Sequence, residues 1–184
     1  MRIVMGLILL AALGAPPAAA AFKTDIRDIT IGMTPEQVSA ALTGCKHRDP
    51  TNIWMSAKDP SGAWVGQSSM ICRVAGEPES TLHVTFTSRL SGKTACRIDY
   101  AFPSSRTNDA LVADVMEQFE VGNTKKQSAG VYVWRLSSDL ELMLTIYMQR
   151  KTLSLRNDGL CDRDKKAVAD YRDAQQNRAQ APDF

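Results

Sequence analysis

Past its first twenty-one residues the 184-residue chain has no apolar run long enough to span a bilayer. It has two histidines and no Cys-x-x-Cys pair among its four cysteines, which removes the common zinc frameworks. No serine sits in a nucleophile-elbow pattern, and no glycine-rich loop could cradle a phosphate. Charge of one sign is not in surplus: 22 Lys and Arg stand against 20 Asp and Glu. That balance gives no argument for nucleic acid or for an anionic membrane as partner. No cofactor is expected.

What is present begins at the N-terminus. Arg2 precedes the apolar run Ile3–Leu13, and Ala18–Ala21 offers small residues to a signal peptidase before Phe22. Residues 1–21 are therefore expected to be a cleaved secretory signal, against the alternative of an uncleaved anchor, because Gly14, Pro16 and Pro17 break the run. No cysteine follows where a lipid-modified one would sit. The expectation is an exported protein, periplasmic or secreted, with no integral membrane segment once the signal is removed.

The rest of the chain shows one order of elements twice, helix then strands: 22–104, then 105–161, followed by a charged tail at 162–184. Thr34 is placed to cap a helix with Pro35 at its first position and Gln37 completing a capping box. Val38, Ala41 and Leu42 follow at helical spacing, and Gly44 marks the stop. Residues 46–69 hold Pro50, Pro60, Gly62 and Gly66, show no period and are expected to be a long loop. Three strands follow, with Met70, Cys72 and Val74 on one side, then Leu82, Val84 and Phe86, then Cys96, Ile98, Tyr100 and Phe102. In the second half Asn108 is expected to cap a helix with Leu111, Val112, Val115, Met116 and Phe119 on its apolar side, ended by Gly122. Strands are expected at 131–136, 140–148 and 152–156, with Gln149–Lys151 as a turn. The tail from Asp162 reads as a helix with Val168 and Tyr171 as contact residues. The fold class is α+β, helices packed on antiparallel sheet.

Cys45, Cys72, Cys96 and Cys161 are an even set in an exported chain, which argues for two disulfides. Three connectivities exist. Strand parity puts Cys72 and Cys96 on one side of the sheet but with a strand between them, an awkward distance for a bond. Cys45–Cys72 with Cys96–Cys161 is the favoured pairing.

Few residues suggest chemistry. His47 lies two positions from Cys45, but a bonded cysteine is no nucleophile. His83 alternates with core residues and so belongs to the solvent side of its strand. Glu77 and Glu79 flank Pro78 and read as solvated. A Ser-His-Asp set assembled from distant segments is left open by sequence.

The strongest functional candidate is the 46–69 stretch. Trp54, Met55 and Trp64, with Arg48 nearby, are of the kinds that dominate binding hot spots, tied down between Cys45 and Cys72. The alternative is that these tryptophans fold back to cover the sheet. Trp134, between Tyr132 and Leu136, reads as core.

The segment Ile31-Gly32-Met33-Thr34 with Gln37-Val38 resembles the helix start of the small outer-membrane assembly lipoproteins of the SmpA/OmlA (BamE) type. The tandem helix-plus-sheet layout with two disulfides resembles the secreted β-lactamase inhibitor proteins. Both resemblances imply helices on one face of a sheet and a role in binding other proteins without catalytic residues. The expectation is a non-enzymatic protein-binding or envelope-associated module, whose partner is another envelope or secreted protein. Two alternatives stand beside it: an inhibitor of a periplasmic or secreted hydrolase, and a small hydrolase or redox enzyme.

Overall fold

In a computed structural model, which describes residues 24–49, 56–122 and 125–179, the alternating segments join into one antiparallel sheet of eight strands. A two-residue hairpin, β1 (Asp25–Ile26) and β2 (Ile29–Thr30), leads into α1 (Pro35–Ala41). β3 (Lys46–Arg48) is followed by a separate hairpin, β4 (Ser56–Lys58) and β5 (Trp64–Gly66). Then come β6 (Ser68–Val74), β7 (Glu77–Phe86), a 3-10 turn at Arg89–Ser91 and β8 (Ala95–Pro103). The second half runs α2 (Asn108–Gln118), β9 (Lys125–Ser128), β10 (Val131–Arg135), β11 (Leu140–Tyr147), β12 (Arg150–Asn157) and α3 (Asp158–Ala179).

The strand order is β3-β6-β7-β8-β12-β11-β10-β9. Each half supplies four neighbouring strands, and the halves meet where β8 pairs with β12. Side chains alternate across a strand, so one register sets both faces. Tyr100 sits opposite Leu153 and Leu82, and Ile98 opposite Leu155 and Val84. These residues, with Leu142, Leu144 and Trp134, form a continuous buried layer. Val38 of α1 and Leu111, Val115 and Phe119 beside α2 cover it. Full burial of each such side chain stabilises by roughly 1.5–3 kcal/mol.

The capping box of α1 is present as expected: the Gln37 amide donates to Thr34 Oγ1, and the Thr34 amide donates to Gln37 Oε1 at 2.8 Å. The cap of α2 is Thr107 rather than Asn108; its hydroxyl accepts from the Ala110 amide at 3.3 Å. The helix ends at Gln118, with Glu120 in the left-handed region at φ 54°, before Gly122 is reached. The 46–69 stretch is not one loop, since it carries β3, β4, β5 and the start of β6. Arg150 and Lys151 belong to β12, not to a turn: Tyr147 pairs with Arg150, leaving Met148 and Gln149 as a two-residue connection.

Both disulfides join the expected partners, Cys45 with Cys72 and Cys96 with Cys161, at Cα separations of 4.0 and 5.5 Å. Cys45 neighbours Cys72 because Lys46 pairs with Ile71 on the adjacent strand. Cys96 is the extra residue of a bulge, since Thr85 pairs with Arg97 and Phe86 with Ala95.

The charged tail begins as α3, which runs from the end of β12 past the 3-10 turn to the β4–β5 hairpin. Val168 and Tyr171 pack there against Ala57 and Val65, as a second small cluster. Asp164 is fully buried; it accepts from the Ser88 amide at 2.9 Å and the Ser88 hydroxyl at 2.6 Å. Arg89 pairs with Asp59 in the hairpin turn, and Gln67 Nε2 donates to the Cys161 carbonyl at 2.9 Å.

Candidate functional site

The face of the sheet opposite α1 and α2 is the candidate site. Its residues follow from register. One row across the strands runs Lys46, Ile71, His83, Asp99, Ser154, Met143, Val133. The next runs Arg48, Ser69, Thr85, Arg97, Arg156, Glu141, Arg135. Ile71, Met143 and Val133 are half-buried here, whereas the layer beneath the helices is dry.

Hydrogen bonds tie the polar groups of this face together. Asp99 accepts from Arg97 Nε at 2.8 and 3.0 Å and from the Ser154 hydroxyl at 2.6 Å. Glu141 lies between two arginines, 3.2 Å from Arg135 and 3.6 Å from Arg156. Arg156 also reaches Asp158 at 2.8 Å, while its buried Nε has no hydrogen-bond partner among the described residues. His83 is opposite Asp99. Burial pushes its pKa below the ordinary 6.5; Arg97 and Arg48 push the same way, and Asp99 opposes them.

Ser154, Asp99 and His83 thus stand side by side, but in the wrong order for nucleophilic catalysis. The serine donates to the carboxylate, and a nucleophile needs its proton taken by the histidine. Ser154 is therefore held by Asp99 and is not set against His83 as a nucleophile. Among the described residues no group of three or more His, Cys, Asp or Glu could hold a metal ion.

Of the four residues expected to form a binding loop, Arg48 and Trp64 are described, and they lie on different sheets. Arg48 is on the edge strand of the large sheet, on the open-face register. Trp64 lies on the separate β4–β5 hairpin, 38% exposed, with Lys58 Nζ 5.0 Å over its ring. Trp54 and Met55 lie outside the described residues. Trp134 is core, 3% exposed, and its buried Nε1 has no partner among the described residues. His47 is exposed beside Asp49.

Glu77 is not simply solvated. It accepts from the Tyr100 hydroxyl and pairs with Arg27, which also donates to Tyr100 at 2.9 Å. Burial pushes the Glu77 pKa up, but Tyr100, Ser80 and Arg27 outweigh it and hold the carboxyl below the ordinary range. Next to this cluster a shallow cleft of about 410 Å³ is lined by Thr81, Ala101, Phe102 and Arg150. Tyr147 and Met148, 71% and 80% exposed, cap the neighbouring β11–β12 hairpin. Sequence reading missed this tip, although two large apolar residues at a turn were there to be seen.

No protein-family model matches the chain, and neither a curated protein nor a solved structure is significantly similar to it. Among the described residues no helix is long and apolar enough to cross a membrane. The two disulfides fit an oxidising compartment.

Proposed function

We propose that the protein is an exported, non-enzymatic module that holds another envelope or secreted protein on the open face of its sheet. The observation that carries this reading is the asymmetry of the sheet. One face is sealed by two helices, and the other presents half-buried apolar residues among fixed charges. Strands at about 4.8 Å spacing and a paired length of about 20 Å give a plane of roughly 700 Å². A standard protein interface takes roughly 800 Å² from each partner. The disulfides and the central bonds of Asp99 hold this plane rigid, which lowers the ordering cost of binding. The resemblance to the BamE-type and β-lactamase inhibitor proteins supports the same reading.

The test is capture from envelope extracts under non-reducing conditions with the wild-type protein, Met143→Glu and Trp64→Ala. The expected result is a protein retained by wild type and by Trp64→Ala but lost from a folded Met143→Glu. Retention by Met143→Glu together with loss from Trp64→Ala would move the site to the β4–β5 hairpin and overturn the proposal.

A further inference from the structure

The near-neutral chain hides a segregation of charge. Outside the edge strand β9, strand positions on the open face carry Arg48, Arg73, Arg97, Arg135, Arg150 and Arg156, and Lys46 at the β3 edge. Against these seven stand Glu79, Asp99 and Glu141. These seven strands of the face therefore carry a net charge of +4, more than the +2 of the entire sequence. The rest of the molecule is correspondingly acidic. The helices are not the source, since the exposed side of α3 alternates Lys and Asp in pairs such as Lys166–Asp170.

Six of the seven basic groups are arginine, whose planar fork matches a carboxylate. Arginine–carboxylate pairs already occur within the face, Arg97 Nε on Asp99 and a single Nη each of Arg135 and Arg156 beside Glu141. The outer members are the more exposed, Arg135 even while paired with Glu141. Arg135 has its side chain 73% exposed, and Arg48 and Arg73 are exposed at the other side of the sheet. Tyr147, also on the open-face register, adds an exposed aromatic beside Arg150.

Resting on the docking role proposed above, we infer that the partner is a protein whose docking surface is rich in Asp and Glu. It is recognised by the arginines of the open face, and the apolar residues between them close the contact. A flat face with half-buried Ile71, Val133 and Met143 suits a folded protein surface better than the ridged, uniformly charged backbone of a nucleic acid.

Poly-L-glutamate serves as the probe, with poly-L-glutamine, duplex DNA and phosphatidylglycerol vesicles as comparisons, all read by NMR on the full disulfide-bonded protein at low and high salt. Poly-L-glutamate is expected to shift amides of β3, β6, β8, β10 and β12 and to raise the His83 pKa by placing carboxylates beside Arg97 and Arg48. The triple variant Arg48→Gln, Arg73→Gln, Arg135→Gln is expected to bind about tenfold more weakly. A charge-matched control on α3 (Lys165→Gln, Lys166→Gln, Arg178→Gln) is expected to change affinity less than twofold. The inference is overturned by any of three results: no binding of poly-L-glutamate, equal weakening by the α3 control, or tighter binding of DNA or vesicles to the same face. Failure here is distinguishable from failure of the docking role. A partner lost from Met143→Glu but held equally by the arginine variant, at all salt concentrations, would keep the face and remove the acidic partner.

Discussion

Asp164→Ala should unfasten one end of the molecule and leave the sheet intact. The Asp164 carboxylate is fully buried and takes both donors of Ser88, its amide and its hydroxyl. Ser88 is itself 1% exposed and starts the 3-10 turn, accepting from the Leu90 amide at 3.3 Å. Removing the carboxylate strands two buried donors, each costing about 1–3 kcal/mol. Relief of the buried charge's desolvation offsets part of this, so a net loss of about 2–4 kcal/mol is expected. The loss should be local. α3 remains tethered through Cys161, while its packing on Ala57 and Val65 through Val168 and Tyr171 is small and depends on this anchor. Hydrogen exchange followed by mass spectrometry would then show faster exchange in residues 162–179 and in the β4–β5 hairpin, with β7, β8, β11 and β12 unchanged. Ser88→Ala should weaken the same segments less, because its amide still donates. An unfolding free energy from denaturant titration that falls by less than about 0.5 kcal/mol, or exchange that rises evenly across the sheet, would refute the view that Asp164 is a local clasp.

Three other outcomes follow from the same geometry. Opening Cys96–Cys161, which closes a separation of 65 residues, should cost about 4 kcal/mol in denaturant unfolding, and opening Cys45–Cys72, at 27 residues, slightly less; the reverse order would contradict the entropic account. His83 has a folded pKa below 6.5, so the unfolded chain binds more protons in that window and stability falls as pH drops through 6.5 toward the folded value. His83→Gln should flatten that part of the pH–stability curve, and an unchanged slope would remove His83 as its source. Gly130 has φ +78°, and a Cβ there would lie 2.6 Å from the Ile146 carbonyl oxygen, so Gly130→Ala should destabilise by about 2 kcal/mol in thermal unfolding.

Much of the fold was legible because the sheet has one dry face. Leu82, Val84 and Phe86 alternate with polar residues, and the same parity located Cys72 and Cys96 well enough to favour the observed pairing. The Thr34 capping box and the Val168–Tyr171 contact of α3 could also be read directly. The strands of the 46–69 stretch could not. β3, β4 and β5 are each three residues long, too short to show a period, and they form through pairing with distant or adjacent strands rather than through propensity. Thr107 took the cap from Asn108 because both residue types serve and only the backbone decides between adjacent positions.

The open face was present in the sequence but hidden by averaging. Arg73, Arg97, Arg135 and Arg156 each occupy the polar parity of an amphipathic strand. The chain's net charge of +2 conceals them, because most of the 20 acidic residues lie off this face. Charge summed by strand parity would have revealed the face, although not which strands lie side by side.

The most direct test of the docking role is site-specific photo-crosslinking in cells. A benzoylphenylalanine placed at Thr145 or Thr152 on the open face, and separately at Glu117 or Gln118 on the outer side of α2, reports which surface meets another protein. The account predicts a discrete adduct from the open-face positions and none from α2. Adducts from α2 alone would contradict it.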